Sequence, residues 1–289
     1  MIKFDRIVAY GCSMTAGDET MDHIFVDSLS EYEVDKSKIE CDGLWCPSWN
    51  DKYYTPEYCS DKTLFDDQGK WIWGEQMRRT KEVAWPRWLA DKFGVPWVNR
   101  ALGGAGMEYA IYCYEEDLAK GEITDNDLIL FGLTTPHRWF WLDEHGKPKK
   151  PLLTYIADWP SRRFHEEYLA TVGNIFQCYW DYYWQIKYID SLYHRTNGRV
   201  KSFYVSMAHH SPFRWVSDNN FWDSDLHKIT RNLSKFPSIM KMDYYFKSYE
   251  WNRGWPRGEP HPDYCGFGHP KIHIHQEMAE ELYKYLINE

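Results

Sequence analysis

Four short runs of apolar residues with high β propensity are spaced along the chain. They lie at residues 4–10, 95–98, 128–133 and 200–207. Polar residues typical of turns precede three of them, as in Thr124-Asp125-Asn126-Asp127 before the third run. Apolar runs of this length that are bounded by turn residues predict β-strands.

Apolar residues at helical spacing occupy much of the chain between and after these runs, at residues 85–93, 107–119, 163–193 and 270–287. Strands that alternate with helices indicate βαβ units and a mostly parallel sheet. We therefore predict an α/β fold with functional groups at the carboxyl ends of the strands. In the last helix His275 lies on the apolar stripe, which favours a buried packing role over a catalytic one.

Three segments do not fit this alternation, at about residues 18–81, 139–162 and 211–262. The first is rich in Tyr, Trp, Asp and Cys and has no sustained period. Loops this long inside a compact domain are usually functional or carry a small structure of their own. We predict one domain over residues 1–289, with these segments as insertions near the carboxyl edge of the sheet.

The first apolar run ends in Gly-Cys-Ser-Met-Thr-Ala-Gly at residues 11–17. A serine at the tip of a strand, beside a helix start, can act as a nucleophile, with backbone N–H groups stabilising an oxyanion. The alternative is that Ser13 serves only as a helix N-cap. The stretch by itself favours the N-cap, because short motifs often match by chance.

A serine nucleophile needs a base, and His269 is the best candidate. It follows two glycines and precedes Pro270, a residue suited to the first turn of a helix. A purely structural loop histidine is the alternative. His209 follows the fourth run and Arg138 follows the third, so either could contact a substrate; a surface histidine and a structural ion pair are the competing interpretations.

Composition narrows the possible partners. The net charge of −9 argues against a nucleic-acid-binding protein, which would present a basic surface. The 16 Trp and 22 Tyr residues suit either stacking on sugar rings or packing of long insertions. The glycines at 103, 104 and 106 lack the Lys-Ser/Thr of a phosphate-binding loop, so no nucleotide cofactor is expected.

The seven cysteines show no repeating spacing, which argues against a disulfide framework. Cys41, Cys46 and Cys59 cluster and could hold zinc only with a fourth ligand such as His23; without a Cys-x-x-Cys pair we predict no metal. The charged N-terminus lacks a signal-peptide core, and no apolar stretch reaches membrane-spanning length. We expect a soluble, cytoplasmic protein that contacts no membrane; its oligomeric state is left open.

Three motifs in order along the chain resemble the blocks of the SGNH (GDSL) hydrolases. Residues 11–17 are similar to the Gly-Asp-Ser-x-Thr-x-Gly of block I. Residues 85–90, followed by 98–105, resemble the helix, second strand and glycine of block II. His269-Pro270, with His275 and the Ala-Glu-Glu-Leu that follows it, resembles the terminal His-Pro-x-x-x-Gly-His helix.

The resemblance implies a flavodoxin-like, three-layer α/β/α fold and hydrolysis of esters, often acetyl esters of carbohydrates, without a cofactor. Ser13 would be the nucleophile and His269 the base. The backbone N–H groups of Ser13 and Gly104 would donate to the oxyanion. The Gly-Cys-Ser-x-Thr variant also resembles SGNH-type proteins of tailed phages, which would imply association with a virion.

The chain departs from the family at three positions. Cys12 replaces the Asp of block I, and Thr134 stands where the Asn of block III would donate to the oxyanion. Gly266 replaces the Asp that precedes the catalytic histidine by three residues, and Asp263 is the nearest carboxylate. We expect either Thr134 to supply part of the missing donor function or Asn99 to help, and Asn99 is also a candidate for contact with the substrate. We expect Asp263 or a backbone carbonyl to orient His269.

The sequence thus predicts an esterase that acts on a small-molecule or carbohydrate ester. Two alternatives remain: a non-catalytic binding or virion module on the same fold, and an O-acyltransferase that uses the same residues. The altered oxyanion position favours the first alternative, and the retained Ser13 and His269 oppose it.

Overall fold

The protein is described by a computed structural model that covers residues 3–17, 66–69, 73–103, 105–134, 141–142, 148–149, 175–205, 235–240 and 270–289. Within these residues the strands are β1 (Arg6–Tyr10), β2 (Trp97–Asn99), β3 (Asp127–Leu133), β4 (Trp141–Leu142), β5 (Pro148–Lys149) and β6 (Val200–Tyr204). The helices are α1 (Ser13–Ala16), α2 (Trp73–Glu82), α3 (Trp85–Phe93), α4 (Met107–Ala119), α5 (Ile175–Arg195) and α6 (Ile272–Asn288).

Four of the strands form a parallel sheet in the order β2-β1-β3-β6. In register, Val8 of β1 lies beside Ile129 of β3, which in turn lies beside Val200 of β6. Strands β4 and β5 form a separate antiparallel pair. The parallel pairing arises because helices connect the strands and return the chain to the same end of the sheet.

A fifth backbone segment extends the sheet beyond β6. The Ser202 N–H donates to Ser238 O at 2.7 Å, and the Met240 N–H donates to Ser202 O at 2.8 Å. These bonds give a parallel bridge between Ser202 and Ile239. In chain order the sheet positions therefore run 2-1-3-4-5, the doubly wound order whose switch point lies between β1 and β3.

Helices cover both faces of the sheet. Alternate residues of β1 and β3 face opposite ways: Val8 and Ile129 pack in one buried cluster with α4 and α5, whereas Ile7 and Leu128 pack in the other with α3 and α6. Burial of each such side chain contributes about 1.5–3 kcal/mol relative to leaving it exposed. The predicted three-layer α/β/α architecture is confirmed.

The local signals that end helix α3 are visible in the structure. Pro86 lies in its first turn, and Gly94 follows its last residue with φ 68°, in the left-handed region. The Gly94 N–H donates back to Ala90 O and Asp91 O, which satisfies carbonyls that the helix end leaves open. The observed bounds of α3 and α4 match the predicted segments 85–93 and 107–119.

Parts of the predicted insertions carry regular structure. Helix α2 lies within and just beyond the 18–81 segment, the β4–β5 pair lies within 139–162, and residues 238–240 of the 211–262 segment join the sheet. Periodicity did not reveal them because these elements are short or are set by contacts with distant segments. For helix 163–193, the described part begins at Ile175 and extends to Arg195. The single-domain assignment stays a prediction.

Candidate active site

The turn that carries Ser13 lies at the switch point of the sheet. Tyr10 ends β1, and helix α1 begins at Ser13. Thr134 directly follows the last residue of the neighbouring strand β3 and is buried. In open α/β sheets the crevice at the switch point, beyond the carboxyl ends of the strands, is where ligands bind.

The Ser13 turn sits unusually close to β3 because of two glycines. A Cβ atom at Gly132 would lie 2.1 Å from Thr15 Oγ1 and 2.7 Å from a methyl of Val205. A Cβ atom at Gly11 would lie 2.5 Å from the same Thr15 oxygen. The fully buried Thr15 side chain therefore fills the space that both glycines leave, and any larger residue would push the turn away.

Cys12 stands where the motif that residues 11–17 resemble has an aspartate, and its side chain is buried against the layer formed by α3 and α6. A carboxylate in that apolar cluster would lose its hydration without a paired charge, which is costly. A cysteine behaves there as a small apolar residue. The substitution is therefore compatible with the packing seen beneath the turn.

The loop after β2 is fastened to the Ser13 turn. The Arg100 N–H donates to Ala9 O at 2.8 Å, and the Leu102 N–H donates to Gly11 O at 3.1 Å. The buried Asn99 side chain donates from Nδ2 to Thr15 O at 2.7 Å and accepts from the Ala101 N–H at 3.1 Å. Its amide thus contacts backbone on both sides; a contact of Asn99 with substrate stays a prediction.

The first turn of α6 lies at the same edge of the sheet. Helix α3 leads into β2 and therefore starts at the carboxyl edge, where the Trp85 N–H donates to His275 Nδ1 at 3.2 Å. A Cβ atom at Gly17, just after α1, would lie 2.9 Å from Ala84 Cβ. A short chain of contacts thus joins the Ser13 turn to the start of α6.

The position of His275 follows from this contact. Its side chain is fully buried, which confirms the predicted packing role. Because Nδ1 accepts a hydrogen bond, the neutral ring carries its proton on Nε2. The imidazole caps the first turn of α3 from a residue 190 positions away, a partnership that spacing could not reveal.

Five predicted site residues lie outside the described part of the chain: Gly104, Arg138, His209, Asp263 and His269. Their placements stay predictions. The flanking residues are informative, because Leu102 and Ala105 bracket Gly104 with a hydrogen bond from the Ala105 N–H to Leu102 O at 3.0 Å. Pro270, which follows His269, is buried at the start of α6.

A buried polar network that the sequence reasoning missed lies beneath the loop after β2. Asp117 accepts from the Tyr10 hydroxyl at 2.7 Å and from Arg100 Nε at 2.7 Å, and a second Arg100 nitrogen binds its other oxygen. Burial alone would raise the pKa of Asp117, but the hydrogen bonds from Arg100 and Tyr10 outweigh it and lower that pKa. Burial, then the bond to Asp117, raises the pKa of Tyr10.

Within the described residues no group of three or more His, Cys, Asp or Glu side chains could hold a metal ion. The cysteines at 41, 46 and 59 and His23 lie outside those residues. Among the helices that the structure describes, none is long and apolar enough to cross a membrane.

Comparison with known proteins gives only distant likenesses. No protein-family model matches the chain, and no curated protein matches it. Among solved structures, an alpha/beta hydrolase from the metagenome of Lake Arreo, Spain, shares 11% identity at a TM-score of 0.41, over 99% of this chain and 96% of that one.

Two further solved structures are esterases. An acetylxylan esterase from Geobacillus stearothermophilus shares 10% identity at a TM-score of 0.38, over 99% of this chain and 95% of that one. A carbohydrate esterase shares 15% identity at a TM-score of 0.38, over 99% of this chain, which spans only 65% of that protein's length. Likeness this loose transfers no function to the chain, since one fold serves many activities.

Proposed function

We propose that this protein is a serine hydrolase that cleaves acyl esters, with an O-acylated carbohydrate as its substrate. One observation carries the proposal: the turn that begins α1 at Ser13 lies at the switch point of the sheet, beside the first turn of α6. The residue two positions before that helix's N-cap is His269. Nucleophile and base candidates thus belong to segments that end at one edge of the sheet.

In the proposed reaction the Ser13 hydroxyl attacks the ester carbonyl carbon while His269 takes its proton. The tetrahedral intermediate then collapses, its bond to the alcohol oxygen breaks, and His269 returns the proton to that alcohol. Water, deprotonated by His269, then attacks the acyl-serine. The bond from the acyl carbon to Ser13 Oγ breaks, His269 returns the proton to that oxygen, and the carboxylic acid leaves. Asp263 is proposed to orient the imidazole.

The negative charge on the carbonyl oxygen needs preorganised donors. The proposed donors are the backbone N–H groups of Ser13 and Gly104 and the hydroxyl of Thr134. Support comes from the fastening of the loop before Gly104 to the Ser13 turn through Leu102 and Asn99. Loss of one such donor typically lowers the rate on the order of 100- to 1000-fold.

The remaining predicted residues concern the substrate. Arg138 and His209 follow strands whose carboxyl ends lie at this edge, and we propose that they contact the sugar or its substituents. The abundance of Trp and Tyr supports a carbohydrate substrate, because their flat faces cover apolar sugar faces while their N–H and O–H groups bind hydroxyls.

The test is labelling with a fluorophosphonate, which reacts with activated serines, together with hydrolysis of acetylated xylan and of a small acetyl ester. We expect wild type to be labelled at Ser13 and both Ser13→Ala and His269→Ala to lose labelling and turnover. Ser191→Ala and His194→Ala, which alter an exposed serine and an exposed histidine of α5, are the matched controls and should retain both. Equal turnover in Ser13→Ala and wild type would refute the proposal.

A non-catalytic carbohydrate-binding module is the second candidate, and burial of Thr134 favours it. The Thr134 side chain is 1% exposed, in the position where the family presents an oxyanion donor to substrate. A non-catalytic binding module would bind acetylated xylan but would neither react with the fluorophosphonate nor hydrolyse the ester. Acyl transfer is distinguished by adding a sugar acceptor and analysing the products for the transferred acyl group.

A further inference from the structure

We propose that Asn99 is a positioning residue of the proposed hydrolase. Its side-chain amide joins the turn that carries Ser13 to the segment that precedes Gly104, so that this turn and this segment keep a fixed position relative to each other. The inference rests on the proposed function for its catalytic consequence. The joint consists of two hydrogen bonds, one from Asn99 Nδ2 to Thr15 O and one from the Ala101 N–H to Asn99 Oδ1.

Ser13 is held from both sides by one short segment. Before it, Gly11 O accepts from the Leu102 N–H at 3.1 Å. After it, Thr15 O accepts from Asn99 Nδ2 at 2.7 Å. Residues 99–102 therefore contact the turn on either side of Ser13, and the second contact is made by a side chain alone.

The same amide also shapes the segment it belongs to. Asn99 Oδ1 accepts from the Ala101 N–H at 3.1 Å, a local bond that holds the backbone directly after β2. Ala105, three residues after Leu102, donates back to Leu102 O at 3.0 Å. One buried side chain thus fixes the turn of Ser13 and the start of the loop that contains Gly104.

Asparagine is the residue that this site requires. Its partners are one carbonyl and one N–H, so only one orientation of the amide satisfies both, and the reverse would place like atoms together. Aspartate has the same shape but offers no donor when ionised, and so would set a carboxylate oxygen against Thr15 O. Alanine removes both contacts and leaves Thr15 O to find another partner in a buried place.

Two variants separate the two halves of the joint. Asn99→Ala removes both bonds, whereas Asn99→Asp keeps the acceptor for the Ala101 N–H and removes the donor to Thr15 O. Asn126→Ala is the matched control, since Asn126 Nδ2 bonds only Asp5 at the opposite end of the sheet among the contacts described. Asp127→Asn controls for lost stability, because it weakens the contacts with Arg6 and Thr124 at the opposite end of the sheet.

Amide hydrogen exchange is measured in segments 12–17 and 100–105, with the fluorophosphonate labelling rate, kcat and KM measured on a small acetyl ester. We expect faster exchange in both segments for Asn99→Ala and in 12–17 alone for Asn99→Asp. Both variants should lose labelling rate and kcat on the order of 100-fold with KM nearly unchanged, since misplacement of reacting groups by about 1 Å costs that much. Both controls should keep the wild-type kcat, Asp127→Asn at a lower melting temperature.

If amide hydrogen exchange in residues 12–17 were the same in Asn99→Ala as in wild type, the proposal that Asn99 holds the Ser13 turn would be refuted. Faster exchange with unchanged labelling and kcat would overturn the positioning role. If Asn99→Ala does not fold, hydrogen exchange and the labelling and kinetic rates are measured on the isosteric Asn99→Asp instead. Absence of Ser13-dependent labelling in wild type would refute the proposed function and with it the catalytic consequence, while exchange would still show whether the joint exists.

Discussion

The two ends of the central sheet are built from different chemistry. At the carboxyl end, where the Ser13 turn lies, Gly11, Asn99 and Gly132 stand at or next to the strand ends, and uncharged groups join this turn to β2 and β3. At the amino end, Arg6 of β1 binds Asp127 of β3, with Arg6 Nε donating to Asp127 Oδ1 at 3.0 Å. One end is closed by charged, hydrogen-bonded side chains, and the other by close backbone approach.

Ion pairs can thus fasten one end of a sheet while the other end is held by close packing and by hydrogen bonds to the backbone. At the amino end Asp127 accepts from Arg6 and from the Thr124 N–H at 2.8 Å, and these bonds hold the first residue of β3 in place. Lys201 of β6 is similarly buried and binds Glu289, just after α6, at 2.5 Å. At the carboxyl end, Thr15 lies against Gly11 and Gly132 with no charged side chain between them.

Gly132→Ala, at the carboxyl end of the sheet, should lower the free energy of unfolding more than the other substitutions. Its new Cβ would meet Thr15 Oγ1 at 2.1 Å and Val205 at 2.7 Å, so the Ser13 turn must move. We expect a loss of about 3 kcal/mol in the free energy of unfolding, measured with urea, from overpacking. Adding Thr15→Ala should recover part of that loss.

The matched control is Gly94→Ala, because nothing lies within 4 Å of a Cβ at Gly94. It should cost only about 1 kcal/mol, for a left-handed conformation that alanine disfavours. Equal losses in the two glycine variants would contradict the close packing described around Thr15.

Asp127→Asn should weaken the amino end without affecting the carboxyl end. It removes a carboxylate whose side chain is 3% exposed and which binds an Arg6 side chain that is 29% exposed. We expect a loss of about 2 kcal/mol in urea unfolding, as for a partly buried charged pair. The labelling rate at Ser13 should stay at the wild-type value at temperatures where the variant is folded. A marked fall in this rate would show that the two ends of the sheet depend on each other.

The carboxylate of Asp127 also makes the stability of the folded protein depend on pH. Burial would raise the pKa of Asp127, but hydrogen bonds from Arg6 and Thr124 outweigh it and lower that pKa. A lowered pKa stabilises the folded state above the unfolded pKa of about 3.9, and this contribution is lost as the pH falls further. Urea midpoints at pH 7 and pH 3 should therefore differ less in Asp127→Asn than in wild type; an equal drop would contradict the assigned bond.

Tyr10→Phe should give the smallest effect. It removes one hydrogen bond to Asp117, which keeps both contacts with Arg100. We expect a loss of about 1 kcal/mol by thermal unfolding and no change in labelling. Tyr283→Phe, on the other face of the sheet in α6, serves as control and should lose less.

Segments with a strong helical period, or with turn residues at their ends, were predictable from the sequence. Helices α3 and α4 match their predicted residues, because an apolar stripe, a proline near one start and a glycine after one end are all local signals. The third strand begins one residue earlier than predicted, at Asp127. The position of Ser13 beyond the end of β1 followed from the same kind of signal.

Elements defined by distant contacts were not predictable in this way. The bridge of Ile239 to Ser202 and the cap that His275 gives Trp85 join residues far apart in the chain. Asn99 was predicted beside the oxyanion for its amide, yet its two bonds go to the backbone at Thr15 and Ala101. No spacing rule reports which partner a polar side chain finds.

The alternation of strands and helices, the parallel sheet and the carboxyl edge as the place of the candidate site were predictable from the amino-acid sequence. They follow from short-range periodicity and from the connections that helices impose. The close approach of the Ser13 turn to β3, and the side chains that hold this turn, were not predictable, because those contacts depend on sheet order and packing. Thr15 between Gly11 and Gly132 shows the reason: its buried place exists only once β1 and β3 lie side by side.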